Sequence, residues 1–488
     1  MAAPALTTAD AAHATTAADA AAGSGAAPPA RAVAKPPPVP AWASYAQILA
    51  HAARGGLRSF VIAFALRGGI SFAIRLFRVI RGRDSLLTAI KTFFGPESHR
   101  FARMSGAFAF LWKLINNALH KYRADAGLGD SATHSKANGA IAGAVAGLAI
   151  LFESEDNRIG FSQQLFMRSM QAGYNALHAR NLLHIPHGDT LLFSAACASI
   201  MYAYIMHPTT IPKSYYSWMV RTARVPADIL QFNRTSVKAW QHHAGAASTA
   251  AEAAASLPAP DFAKLQVDRA ELSRVLTRYK APAAVGEFLD AYLGRHAGTM
   301  PTVPCKLVHC SDISCVRYNA ALWFKVFWNI LPVYVSLNGV PLMLFKTKAL
   351  MENPRLNLFR ALKSSARSST FLAFFVFLFQ SGICLQRNAR PNTRDSRFYY
   401  YLLGAISGLT VLLEHPSRRV ELAMYTLPKG IQSLYTVLIN RGNMVPLYGV
   451  DVVASCVAMA VIMSVYQVEP HQMSPLLYRT MRAVIGTY

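Results

Sequence analysis

The chain has 488 residues, 49 of them Lys or Arg and 24 Asp or Glu, giving a formal net charge of +25. Only 15% of the residues are charged, against roughly 25% in soluble proteins, while 53% are hydrophobic and mean hydropathy is +0.24. Cations set between long apolar runs exclude a disordered chain and argue against a nucleic-acid binder. They predict an all-α, multispanning helical membrane protein with basic loops.

Residues 1–42 are rich in Ala and Pro and read as a disordered tail. The first 30 residues carry neither a cation nor an apolar core, so no secretory signal is expected, and Asp10 and Asp19 argue against a mitochondrial presequence. A first membrane unit, 50–220, holds four apolar runs. Leu57 to Val79 carries Arg58, Arg67, Arg75 and Arg78 and either spans or lies in the interface; Met104 to His120 is broken only by Lys113; Ala137 to Phe152 and Thr190 to Pro212 follow. A polar helical linker, 221–304, is expected to form short surface helices outside the bilayer rather than a catalytic domain. The second membrane unit, 305–488, contains Val326 to Phe345, Ser368 to Gln386 between Arg367 and Arg387, Phe398 to Leu413, and Val452 to Val468. That makes eight candidate spans.

The two units share a register. GAVAGLAILFE from Gly143 and GAISGLTVLLE from Gly404 align without a gap, and the match runs on through Glu153/Glu414, Arg158/Arg419, Gln171/Gln432 and Tyr174/Tyr435. With a small shift, Asp189 matches Asp451. SGAFAFLWKL from Ser105 can be laid on STFLAFFVFL from Ser369. An internal repeat of two related units is the reading. Gly139, Gly143 and Gly147 recur every four residues on one helix face, and Gly404 and Gly408 repeat the device. Such faces let helix backbones approach closely, and membrane helices associate mainly by packing of this kind. Leucine at Gly143 or Gly404 should therefore disrupt, whereas Gly127, in the polar loop, should be a mild control. Glu153 with Arg158, and Glu414 with Arg419, are expected as polar pairs at the membrane boundary.

Cys305, Cys310 and Cys315 fall within eleven residues, with His309 beside the second. Structural zinc sites show close Cys pairs with a second pair at a distance. With a single cluster in the sequence, thiols are expected, a disulfide is the alternative, and no metal or cofactor is assigned. His184, His187 and Asp189 could serve as acid, base or ligands, but HIPHGDT reads more simply as a turn with Asp189 capping the next helix. No phosphate loop, nucleophile elbow or zincin motif occurs, so no catalytic residues are assigned and no enzyme is expected. Basic residues crowd two equivalent loops, Arg75, Arg78, Arg81, Arg83, Lys91, Arg100 and Arg103, then Lys346, Lys348, Arg355, Arg360, Lys363 and Arg367. They suit topology retention and attraction to anionic lipid headgroups. The expected partners are the bilayer, those headgroups and a protein docked at the linker, with no nucleic acid.

Three stretches resemble the transmembrane protein 135-like family. RNLLHIPHGDTLLFSAACASIMYAYIMHPTTIPKSYYSWM is similar to the stretch after its glycine helix, PCKLVHCSDISC to its cysteine-rich segment, and LLEHPSRRVELAMYTLPKGIQSLY to its other glycine-helix unit. The resemblance covers most of 50–240 and 300–488 and leaves out the tail and the linker. That family is distantly similar to mitochondrial inner-membrane import-channel proteins. The resemblance implies a protein of peroxisomal or mitochondrial membranes tied to lipid homeostasis and organelle dynamics, and it supplies no catalytic residues; binding or moving a hydrophobic or lipid-like solute, a transport role, is the first functional reading. A structural or recruitment protein acting through the linker is the alternative, and a membrane-embedded enzyme the last.

Overall fold

The computed structural model describes residues 42–80, 82, 84–128, 132–310, 312, 314–345 and 347–486. All but the last residue of the expected tail, together with Arg81, Arg83 and Lys346 of the basic loops, lies outside them. Among the described residues every regular element is helical, and extended pairing is limited to the isolated bridges Thr249–Thr393 and Gln266–Thr299.

The long helices are α1 (Tyr45–Ile80), α3 (Pro96–Asp125), α4 (Ala132–Gly147), α5 (Glu155–Ala179), α6 (Gly188–Met206), α14 (Cys315–Phe345), α16 (Pro354–Ala389), α17 (Arg397–Gly408), α18 (Pro416–Asn440) and α19 (Val450–Val468). Between α1 and α3 lies α2 (Leu86–Phe93), whose N-cap Ser85 accepts a hydrogen bond from the Thr88 amide. Proline opens α3, α16 and α18, where its missing N–H costs nothing. Among the described residues, six stretches are long and apolar enough to cross a membrane: α1, 134–152, α6, 315–339, α16 and α19. Met104 to His120 is not among them. It belongs to the longer α3, where Lys113, Asn116, Asn117 and His120 turn into the protein and are buried. Phe398 to Leu413 falls in the shorter apolar helix 397–413.

The chain divides into two compact units, one of residues 1–183 with 451–488 and the other of 184–450. These are not the sequence blocks 50–220 and 305–488. Helix α6 sits with α16, α17 and α18, and α19 sits with α3, α4 and α5. The cores show it. In the first unit Phe108, Trp112, Ala142 and Ala146 pack with Met459, Ile462 and Met463; in the second, Phe193 and Cys197 pack with Phe371, Val411 and Ala423.

Paired elements recur at a fixed offset. Helices α5 and α18 both have 25 residues and begin 261 apart. Helices α6 and α19 both have 19 residues and begin 262 apart, and so do the 11-residue helices α7 (Lys213–Ala223) and α20 (Pro475–Ile485). Both α4 and α17 tighten into five-residue 3₁₀ turns, Leu148–Phe152 and Leu409–Leu413.

The linker departs from expectation. Helices α8 (Ala227–His243), α9 (Ala250–Ser256), α10 (Ala259–Ala263), α11 (Arg269–Arg278) and α12 (Ala283–Arg295) turn their apolar faces inward. Ile229, Phe232, Leu272, Leu289, Leu293 and Met300 form one core, and Trp240, Ala253 and Leu265 another. The apolar spacing that suggests surface helices is the inner face of a packed helical body.

Candidate functional site

The glycine faces meet backbone. In the first unit, a Cβ built on Gly143 would lie 2.4 Å from the Met459 carbonyl oxygen, one on Gly139 2.9 Å from that of Met463, and one on Gly147 2.7 Å from Cys456 Cα. In the second unit, a Cβ on Gly404 would lie 2.8 Å from the Cys197 carbonyl oxygen and one on Gly408 2.7 Å from Ser194 Cα. Real Cβ atoms essentially never reach such distances, so a side chain at any of these positions would force the neighbouring backbone to shift. Sequence reading misses further close approaches. Gly56 and Gly106 face one another between α1 and α3, where a Cβ on either would lie 3.0 Å from the other's carbonyl oxygen, and a Cβ on Gly430 of α18 would meet Ala196 Cα at 3.0 Å.

The boundary residues fall in equivalent places with different partners from those expected. Glu153 and Glu414 are both buried, and each stands just before the N-terminus of the next helix, where the helix dipole favours an anion. Glu153 accepts from the Ser154 amide at 3.1 Å and from Asn157 Nδ2 at 3.2 Å. Glu414 accepts from the His415 amide at 3.2 Å. The arginines turn elsewhere. Arg158 pairs with Asp451 and, at 3.6 Å, with Glu155, whereas Arg419 donates to the carbonyls of Glu414 at 2.9 Å and Leu412 at 2.8 Å. A carboxylate just before a helix satisfies itself on backbone amides, and the guanidinium is left to reach farther.

Glu469, just beyond α19, ties three segments of the first unit together. It accepts from Lys136 and from Arg180, each at 2.5 Å. Burial raises its pKa, but the two cations outweigh burial and hold the carboxyl below its ordinary range. A lowered folded-state pKa contributes stability above the unfolded value that is lost as pH falls through the folded one. Glu469→Gln should cost about 1 kcal/mol at neutral pH. Its melting curve in detergent should converge on that of the wild type only once the pH has fallen through the lowered folded-state pKa; a gap that persists under acid that protonates every carboxylate would refute the charge pairing.

The second unit encloses apolar space. A cavity of about 150 Å³ is walled by Phe193, Cys197, Met201, Trp218, Phe371 and Tyr425, among others. A smaller one of about 60 Å³ shares Met201, Tyr204, Ala223, Phe375 and Val376 with it and extends to Cys384 and Arg387. Together they follow α16 from Phe371 to Arg387, about 24 Å at 1.5 Å per residue. At the Arg387 end, Arg387 and Asp395 form a buried ion pair at 3.2 Å.

The cysteine cluster is regrouped. Cys305, His309, Cys315 and Cys384 present ligand atoms that all lie within 4.8 Å of one another. Cys310 is instead buried in the linker core beside Leu307. All six cysteines are free thiols. His309 lies 3.3 Å from Cys315 Sγ through Nε2, and its Nδ1 is 2.7 Å from the Asp312 carbonyl oxygen. Burial lowers the pKa of His309, but hydrogen bonds to Cys384, Asp312 and Cys315 outweigh it and raise the group to about 9. His309 is visible in the sequence next to Cys310. Cys384, in an apolar run far along the chain, gives no local signal. His184 and His187 lie in an exposed turn, and Asp189 accepts from the Thr190 amide at 2.7 Å, a local helix-start contact.

Compared with family models, with curated proteins and with solved structures, the chain matches none.

Proposed function

We propose that this is an organellar membrane protein of two related units, packed through glycine-faced helices, that binds or moves a lipid-like solute with a single acyl chain. The observation that carries the reading is the apolar space along α16, walled by helices of which α6 and α16 are candidate spans. Apolar pockets with few polar groups are the usual form of small-molecule sites, and the elongated shape of the roughly 24 Å run suits an extended acyl chain. The fixed offset between α5 and α18, and between α6 and α19, supports the relation between the units. The transmembrane protein 135-like resemblance favours peroxisomal or mitochondrial membranes and lipid homeostasis, and the excess of Lys and Arg favours anionic headgroups. Docking of a protein partner at 221–304 is the second reading; the inward-turned apolar faces of that body favour the first.

A photoactivatable fatty acid should label peptides around 193–204 and 371–376 of the purified protein. Ala223→Phe, which fills the space shared by the two cavities, should reduce labelling at least tenfold, a loss of about 1.4 kcal/mol in binding, while leaving the elution profile in detergent unchanged. Labelling confined to the exterior of α1, or unaffected by Ala223→Phe, would overturn the binding reading. A tagged copy found at the plasma membrane would overturn the organellar one.

A further inference from the structure

We propose that Cys305, His309, Cys315 and Cys384 hold one structural Zn²⁺. The four come from three places: Cys305 and His309 from the short helix α13 (Cys305–Val308) and the residue after it, Cys315 from the first residue of α14, and Cys384 from the last turns of α16. Helices α14 and α16 are joined by α15 (Thr347–Glu352) and run in opposite directions, so the start of one lies beside the end of the other. The four ligand atoms lie within 4.8 Å of one another. A tetrahedral zinc with bonds of about 2.3 Å to sulfur separates its ligands by about 3.8 Å, so the set needs at most a small contraction.

The surroundings orient the ligands as metal sites require. His309 places Nδ1 against the Asp312 carbonyl oxygen at 2.7 Å, which fixes that nitrogen as an N–H and aims Nε2 at the sulfurs, where the incoming metal displaces any proton it carries. Asn319 Nδ2 donates to Cys384 Sγ at 3.5 Å, and Asn388 Nδ2 donates to Cys315 Sγ at 3.5 Å. Amide donors of this kind stabilise thiolates. Three thiolates and one imidazole, partly to fully buried with no place left for a reactant, match a closed structural zinc site. They match poorly the oxygen-rich sites of magnesium, calcium or manganese. On binding, Zn²⁺ takes the place of the thiol protons, which pass to solvent. The ion would then staple the α14–α16 hairpin to the end of the linker body.

The test uses the full chain, carrying a tag without histidine and purified in detergent under reducing conditions without chelator. Elemental analysis should find about one equivalent of zinc. Cys384→Ser and Cys315→Ser should each lose most of it, whereas Cys310→Ser and Cys456→Ser should keep it. Protein produced with Co²⁺ in place of zinc should show the strong visible bands of tetrahedral cobalt with thiolate charge transfer, a readout that survives if Cys384→Ser fails to fold. A metal-free wild type, octahedral cobalt spectra, or zinc that follows Cys310 rather than Cys384 would each overturn the assignment.

Discussion

Alanine at Gly143 is expected to lower the stability of the detergent-solubilised protein by about 1–3 kcal/mol, and leucine there by more. The reason is the identity of the atoms in the way. A Cβ at Gly143 would stand 2.4 Å from the Met459 carbonyl oxygen and 2.9 Å from its carbon, so a backbone must move and no side-chain rotation relieves the clash. Gly404→Ala should act in the same direction and less strongly, because its nearest atom, the Cys197 carbonyl oxygen, is 2.8 Å away. Gly127 is not the neutral control that its loop position suggests. Although nothing lies within 4 Å, its φ of +69° is left-handed, and a side chain is strained there whatever the space. Gly160 and Gly173 of α5 are the proper controls: both are helical with no atom within 4 Å, so alanine should leave stability unchanged or raise it by up to about 1 kcal/mol. Thermal unfolding followed by size exclusion separates the two classes by sign. Equal effects at Gly143 and Gly160 would mean that the glycine face carries no close helix contact.

Most of the candidate spans are legible in the sequence because each is a local pattern of composition. What each helix packs against is not. Inside a bilayer both lipid and protein neighbours are apolar, so an apolar face does not announce its partner. Chain order therefore groups α6 with the segment before it, whereas Gly404, Gly408 and Gly430 hold it against α17 and α18. The polar groups of α3 mislead in the opposite direction. Lys113 reads as a flaw in a span, yet it lies buried with its Nζ 3.1 Å from His51 Nε2. At the cysteine cluster, nearness in sequence points to Cys310, and folding substitutes Cys384. The helical turn from Cys305 to His309 points those two side chains to one side and leaves Cys310 facing the linker core.

Arg387 shows how much a boundary cation can conceal, and it carries the second large expected effect. In the sequence it closes the apolar run of α16, but its side chain is only 4% exposed and that of its partner Asp395 is 0% exposed. Asp395 also accepts from Tyr400 at 2.8 Å and from Gln386 at 3.2 Å, and Arg387 donates to Asn233 of α8 at 2.6 Å. The network fastens the linker body to the end of α16, three residues beyond Cys384. Asp395→Ala should cost about 3–5 kcal/mol, because it leaves a guanidinium buried without its counter-charge. Arg387→Met alone should cost a similar amount by stranding the carboxylate. The double variant Arg387→Met, Asp395→Leu should recover most of either loss, since apolar replacement of both partners of a buried pair is often close to neutral. The double-mutant cycle, measured by unfolding in detergent, reads the coupling directly. Additive losses would show that Arg387 and Asp395 are separately solvated, and the 3.2 Å pair would then contribute nothing to holding α8 on α16.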